Sequence, residues 1–103
     1  MVKHVILWQL KGEYSEEEKE AVKNEIKRGL EGLKGVIAGL IDIHVQTKSL
    51  PTSNADVMLD ATFESEAALK EYAVHPEHVK VADGKVRPYV QLRTCMDFEI
   101  ADM

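Results

Sequence analysis

The sequence predicts a single α+β domain with the element order βαββαβ. The chain has 103 residues, which fits one domain and leaves no room for a second core. Three segments alternate apolar and polar residues with the period of two typical of strands, a fourth is a short apolar run rich in β-formers, and two segments repeat apolar residues at helical spacing. This order is the ferredoxin-like, or split βαβ, arrangement, in which both helices cover one face of a four-stranded antiparallel sheet.

The first strand and the first helix are predicted from residues 4–34. Residues 4–10 form a short apolar run rich in β-formers, and turn residues follow it. Ser15 and Glu18 form a capping box, a strong signal for a helix start. The helical stripe that follows consists of Val22, Ile26, Leu30 and Leu33. The helix should therefore span residues 16–34, with Gly35 as its stop and room for a close backbone approach at Gly29 and Gly32.

Strands 2 and 3 are predicted as a hairpin. Residues 36–47 alternate, with Ile37, Ile41, Ile43 and Val45 on the more apolar face. Residues 49–54 have the composition of a loop, and residues 55–63 alternate again. Strand 3 should therefore pair with strand 2.

The second helix and the last strand complete the order. Ser65 is the N-cap of a short helix, and Pro76 forces His75 out of the helical region before a further helical turn begins. Leu92, Thr94, Met96, Phe98 and Ile100 alternate with polar residues, which predicts strand 4.

The sheet face opposite the helices requires a cover. We expect it to carry Met58, Cys95 and Leu40 among Asp56, Asp60, Arg93 and Asp97, too mixed for a core and too apolar for plain solvent. A second copy packing sheet on sheet would cover this face in the commonest oligomer symmetry. The sequence therefore predicts a homodimer.

Charge and composition exclude several partners. Acidic residues outnumber basic ones by 18 to 13, and no basic run could follow a phosphate backbone, so we expect no nucleic-acid partner. No apolar segment approaches the length of a bilayer span or of a secretory leader, so we expect no membrane partner. Cys95 is the only cysteine and is interpreted as a small half-buried hydrophobe. A cytoplasmic location fits these features best.

The segment from Tyr72 to His78 concentrates titratable groups. The helix break at Pro76 lets His78 fold back towards Tyr72. A histidine can act as a general base and a tyrosine hydroxyl can polarise a carbonyl, so the pair suits proton abstraction beside a carbonyl. The alternative is a plain helix stop, with an imidazole as a cap and Tyr72 as a core aromatic.

The same residues carry a family resemblance that covers nearly the whole chain. Its motifs are Lys3-His4-Val5, Phe63-Glu64-Ser65, Tyr72 with His75-Pro76-Glu77-His78, and the closing strand Thr94 to Glu99. Together they resemble the stress-responsive A/B barrel domain family (Dabb), whose fold is a dimeric α+β barrel. The family includes small proteins without an assigned activity, plant stress-induced oligomers and a plant polyketide cyclase.

The resemblance implies roles for individual residues. In the cyclase-like interpretation His78 matches the general base, Tyr72 the hydroxyl that orients a carbonyl, and His4 a histidine that lines the pocket. If His4 points towards the helices, Ile6 and Trp8 share its face and bind the ligand together with His75. The catalytic residues are then His78, Tyr72 and His4, and the ligand-binding residues are His75, Trp8 and Ile6.

Three functions remain open. The first is a pocket for a small carbonyl or phenolic ligand, with cyclase- or lyase-like chemistry. The second is a non-catalytic structural or stress-related oligomer, and the third is a cofactor-free monooxygenase-like barrel. His75, His78, His4 and Glu77 could in principle bind a metal, but Pro76 splays the imidazoles, so we expect neither a metal nor an organic cofactor.

Overall fold

The computed structural model describes residues 1–100. Its strands are β1 (Val2–Leu10), β2 (Leu40–Gln46), β3 (Val57–Phe63) and β4 (Val90–Glu99), and its helices are α1 (Glu16–Glu31), α2 (Glu66–Val74) and α3 (Pro76–Val81). A π-helical turn (Ala82–Val86) and a 3-10 turn (Arg87–Tyr89) join α3 to β4. The strands form one antiparallel sheet in the order β2-β3-β1-β4, which confirms the predicted ferredoxin-like α+β fold.

Helix α1 begins where the capping box predicts. The Ser15 Oγ accepts a hydrogen bond from the Glu18 amide at 3.1 Å, and the Glu18 carboxylate accepts one from the Ser15 amide at 3.0 Å. The helix ends at Glu31, three residues earlier than predicted. Turns replace its last residues, and Gly35 adopts a φ of +83°, which a glycine tolerates without strain.

The predicted close approach at Gly29 is present, although a side chain makes it. A Cβ added at Gly29 would lie 2.9 Å from Val81 Cγ1, so α1 and α3 pack tightly at this glycine. Beside it, Ile26 and Leu30 of α1 are fully buried against the sheet. This packing holds α3 over the sheet.

Strand β2 starts later than predicted, and its inward face differs from the predicted one only at its first two residues, since Ile43 and Val45 are buried as predicted. Turns occupy residues 36–39, and Gly39 has a φ of +84°. The register with β3 shifts between Leu40 and Asp42, which adds one residue to β2. Leu40 is therefore buried at 8% exposure while Ile41 is 40% exposed. The predicted faces of these two residues were wrong because the irregularity inverts the alternation.

Strand β4 presents the opposite face to the helices from the one predicted. The β1–β4 register pairs His4 with Asp97, Ile6 with Cys95, and Trp8 with Arg93. His4, Ile6 and Trp8 are buried beneath the helices, and residues directly opposite each other share a face of the sheet. The polar residues of β4 therefore lie on the helix side, and their predicted place on the open face was wrong.

The open face carries an apolar row instead. Opposite pairing places Lys3, Val5 and Leu7 of β1 beside Phe98, Met96 and Thr94 of β4. Met96 is 66% exposed, and Leu92, Phe98 and Leu7 are also exposed large apolar side chains. Met58 and Asp60 share this face, as predicted. Among residues 1–100, no helix combines the length and the apolar character that a membrane span requires.

Candidate ligand-binding site

An inner cavity of about 170 Å³ lies between the helices and the sheet. Its walls are formed by His4, Ile6, Trp8, Leu30, Leu59, Leu69, Tyr72, Ala73, His78, Ala82, Val86, Arg87 and Arg93. Five of the six residues singled out from the sequence are among them. The exception is His75, which is not part of these walls.

His75 forms the junction between α2 and α3. Its backbone is extended, with φ −66° and ψ 132°, because the Pro76 ring disfavours a helical conformation in the preceding residue. Its Nδ1 accepts a hydrogen bond from the Glu77 amide at 3.1 Å, so the imidazole is the N-cap of α3, and Pro76 takes the first helical position. This junction re-aims the chain so that His78 returns to Tyr72.

Tyr72 and His78 are stacked in the cavity wall, as the helix break predicts. Their ring centroids lie 4.2 Å apart at an interplanar angle of 34°. His78 Nδ1 is 3.3 Å from the Ala73 carbonyl oxygen. Because a carbonyl oxygen only accepts, we assign the proton of the neutral ring to Nδ1, which leaves the lone pair on Nε2. Burial lowers the pKa of His78, so the ring is a neutral base near pH 7.

The Tyr72 hydroxyl is the unusual polar group of the cavity. Tyr72 is 1% exposed, and its hydroxyl has no hydrogen-bond partner within residues 1–100. Burial raises the pKa of the phenol, so it stays a neutral donor at physiological pH. An unsatisfied buried polar group costs about 1–3 kcal/mol, and natural structures keep few of them. The histidines around Tyr72 therefore do not satisfy it.

His4 occupies the sheet side of the cavity. Its ring packs edge-on against both Tyr72 and Phe63, with centroids 6.2 Å from each. Its Nδ1 is hydrogen-bonded to the carboxylate of Asp97, the residue opposite it on β4. A carboxylate accepts only, so the Nδ1 proton points at Asp97 and Nε2 is the nitrogen available to a ligand. Asp97 thus fixes the orientation of the His4 ring.

Cys95 lies next to this pair and is exposed, whereas the sequence suggested a half-buried hydrophobe. Its Sγ is 3.8 Å from His4 Nδ1 and 3.6 Å from Asp97 Oδ1. Among the described residues, this trio is the group that could hold a metal, since its ligand atoms lie within 4.8 Å of one another. Burial, and then the Asp97 charge, raise the pKa of the Cys95 thiol, so the thiol is protonated near pH 7. His75, His78 and Glu77 do not join the group.

An outer groove of about 620 Å³ runs between α2 and β4. It is lined by Val2, His4, Glu66, Leu69, Lys70, Ala73, Arg93, Cys95, Asp97, Phe98 and Glu99. His4, Leu69, Ala73 and Arg93 line the inner cavity as well. The cavity and the groove therefore meet at these residues and form one cleft.

Two site residues escaped the sequence reasoning. Asp97 contacts His4, and Arg93 lines both parts of the cleft. The alternation of β4 groups them correctly on one face, but a period of two does not say which face the helices cover. The signal that could have found them is the His4 position, because antiparallel pairing of the two terminal strands places a β4 residue opposite it.

The sequence matches a known family over residues 2–100. The matching description is the stress responsive A/B barrel domain, Dabb. The chain belongs to this family. The resemblance based on the His4, Tyr72 and His75-Pro76-Glu77-His78 motifs is thereby confirmed. No curated protein shows significant sequence similarity to this Dabb chain.

Solved structures share the Dabb fold of this chain. A dimeric protein of unknown function with a ferredoxin-like fold from Bacteroides fragilis is 31% identical, with a TM-score of 0.90 over 96% of this chain and 95% of that one. The hydroxynitrile lyase of Passiflora edulis is 14% identical, with a TM-score of 0.73 over 99% and 94% of the two chains. An antibiotic biosynthesis monooxygenase is 11% identical, with a TM-score of 0.74 over 99% and 100%. At these identities the two enzymes show the fold alone.

Proposed function

We propose that this Dabb domain binds a small carbonyl or phenolic compound in the inner cavity. We further propose that Tyr72 and His78 catalyse a proton transfer on the bound compound. The single observation that carries the proposal is the buried Tyr72 hydroxyl in the cavity wall, which has no hydrogen-bond partner among the described residues 1–100. A ligand oxygen would accept its hydrogen bond and remove the cost of leaving the donor unsatisfied.

The chemistry follows from the protonation states of the two side chains. Tyr72 is a neutral donor that polarises a carbonyl oxygen and stabilises the negative charge that develops there. His78 removes a proton from the carbon next to that carbonyl, and the C–H electron pair becomes the enolate. The imidazolium then returns the proton. The same enolate would start a cyclase-like or lyase-like reaction.

His4 acts as the third member of the site. The Asp97 carboxylate holds the His4 ring in place through a hydrogen bond. The His4 ring packs edge-on against Tyr72 and so keeps the phenol in place. Ile6, Trp8, Leu30 and Leu59 supply the apolar walls that receive the body of the ligand. Asp97 is a positioning residue in this scheme, and the side chains of Tyr72, His78 and His4 contact the reacting group.

The proposal is tested with 4-hydroxyacetophenone, a small phenolic ketone. We expect micromolar to millimolar binding in calorimetry, and protein-dependent exchange of the methyl protons for deuterium followed by NMR in deuterated water. Tyr72→Phe should weaken binding about tenfold, because the hydrogen bond to the ligand oxygen is lost. His78→Gln should abolish exchange while leaving binding within about threefold.

Matched variants control for general effects on the fold. Tyr14→Phe changes a tyrosine that packs against Tyr89 outside the cavity, and His44→Gln changes an exposed histidine paired with Asp42. Both should behave as the unmodified protein does. Binding and exchange that persist in Tyr72→Phe and His78→Gln would refute the proposed roles, and a protein that binds no carbonyl or phenolic probe would leave the non-catalytic oligomer as the better description.

We also propose that the chain forms a homodimer through the open face of its sheet. The exposed row of Leu92, Met96, Phe98 and Leu7 supports this, because a soluble monomer rarely exposes a contiguous apolar patch of this kind. The 31% identical Bacteroides fragilis protein is dimeric. A dimer built on this face would leave the cleft on the helix side of each subunit open to ligand.

A further inference from the structure

The charges on the cavity walls indicate which ligand the proposed site takes. The inner cavity is lined by no Asp or Glu of residues 1–100, and its permanently charged wall residues are Arg87 and Arg93. The whole chain has 18 acidic residues against 13 basic ones, so a purely cationic wall runs against its composition. The nearest carboxylate in the cleft, Asp97, is engaged with His4.

Among residues 1–100, Arg93 is the cavity cation without a carboxylate partner. Arg87 forms an ion pair with Asp83. Arg93 has no carboxylate partner within residues 1–100. The neighbouring Cys95 thiol does not neutralise it, because burial and Asp97 raise the pKa of that thiol. One guanidinium that contacts the Cys95 thiol, and has no carboxylate partner in the part of the chain that the structure describes, therefore lines the cleft.

The position of Arg93 suits a group that enters from the outer groove. It lines both the inner cavity and the groove, so it lies where the two meet. It stands opposite Trp8, whose indole forms the adjacent cavity wall. Besides the larger effect of burial, the charges of both arginines also lower the pKa of His78, which places the guanidinium groups within electrostatic reach of the proposed base.

We infer that the ligand is a single-ring aromatic carboxylate, with its ring in the inner cavity and its carboxylate on Arg93. The inference rests on the proposed function. A cavity of about 150 Å³ is large enough to hold benzene, so the inner cavity fits one ring. A guanidinium binds a carboxylate through two parallel hydrogen bonds, and one free positive charge matches a monoanion better than a doubly charged phosphate.

The inference is tested by comparing 4-hydroxybenzoate with its neutral isostere 4-hydroxybenzamide in calorimetry at pH 7. We expect the unmodified protein to bind the carboxylate at least about tenfold more tightly. Arg93→Gln should remove this preference, so that the affinities of the variant for the two probes differ by less than about twofold. Arg28→Gln, which changes an exposed arginine on α1 that pairs with Glu25, should keep the preference.

The outcomes separate this inference from the proposed function. Equal affinity for the two probes in the unmodified protein, or a preference that survives Arg93→Gln, would refute the carboxylate assignment while the cavity still binds phenols. An Arg93-dependent preference for phenyl phosphate over 4-hydroxybenzoate would replace the carboxylate with a phosphate and also overturn the inference. If 4-hydroxybenzoate, 4-hydroxybenzamide and 4-hydroxyacetophenone all failed to bind, the proposed function would be refuted as well.

Discussion

At the scale of single residues, the site depends on side chains held in defined protonation states. Tyr72 is kept neutral because burial raises its pKa, and His78 is kept neutral because burial lowers its pKa. Both shifts have the same physical cause, the removal of charge-stabilising water, and they act in opposite directions on an acid and a base. A donor and an acceptor are thereby placed side by side without an ion pair between them.

The Tyr72 hydroxyl should be costly for the free protein. Tyr72→Phe removes a buried donor without a partner, so we expect the free energy of unfolding to stay constant or to rise by up to about 1 kcal/mol. Urea unfolding measures this, with Tyr14→Phe as the control. A loss of more than about 1 kcal/mol would mean that the hydroxyl is satisfied in the folded state, as the structural alternative requires.

His78 should make stability depend on pH. Its pKa is lower in the folded protein than the usual 6.5, so below pH 6.5 the unfolded chain binds more protons and stability falls with falling pH. His78→Gln removes this contribution. We therefore expect the variant to lose less stability than the unmodified protein between pH 7.5 and pH 5, as measured by urea unfolding.

Tyr72→Phe is the control for this pH dependence, because the phenol that it removes does not titrate between pH 7.5 and pH 5. The difference in the free energy of unfolding between Tyr72→Phe and the unmodified protein should be the same at both pH values. A His78→Gln difference that is equally constant with pH would contradict the lowered pKa.

At the scale of elements, the cleft depends on how closely α2 approaches the sheet. Gly39 precedes β2 with a φ of +84°, and a Cβ added there would lie 2.6 Å from the Ala68 Cβ of α2. That distance is too short for two carbon atoms. The glycine therefore lets the helix that carries Tyr72 pack against the end of β2.

A comparison of Gly35 with Gly39, which have nearly the same backbone conformation, separates the packing of α2 from backbone strain. Gly35 has a φ of +83° but nothing within 4 Å of an added Cβ. Gly35→Ala should cost about 1–2 kcal/mol through backbone strain alone. Gly39→Ala should cost more, because α2 must also move. Adding Ala68→Gly to Gly39→Ala should recover part of the excess, and equal losses for the two single variants would refute the packing role.

The elements also show what the sequence could predict. The start of α1 depends on Ser15 and Glu18, which are three residues apart, so a local pattern was sufficient. The break at Pro76 is equally local, and the Tyr72–His78 contact follows from it. The face of β4 could not be predicted, because alternation does not say which side the helices cover. Asp97 and Arg93 were missed for that reason.

At the scale of the whole molecule, the sheet separates the proposed ligand site from the proposed subunit interface. Its helix side forms the cleft, and its open side carries the apolar row. A core that buries only one face of a sheet in a chain of about 100 residues has a modest stability margin, and association would extend that burial. Ligand binding and assembly are thus assigned to opposite faces.

Assembly is tested by placing a charge in the apolar row. Met96→Asp buries a carboxylate in the proposed interface, so we expect the mass from light scattering at micromolar concentration to fall from that of two chains to that of one. Leu50→Asp, at a 71% exposed loop position, should leave the mass unchanged. A monomer mass for the unmodified protein would refute the dimer directly.

Strand β4 is paired with β1 along one edge only, and almost all of its residues are exposed in a single chain. Under the two proposals, one face of the strand contacts a ligand and the other contacts a second subunit, so both binding events would involve this ten-residue strand. Amide hydrogens in β4 should exchange with solvent fastest among the four strands and slow down when either face is covered. By thermodynamic linkage, a ligand that stabilises β4 would then strengthen subunit association, and dissociation of the subunits would weaken ligand binding by the same factor.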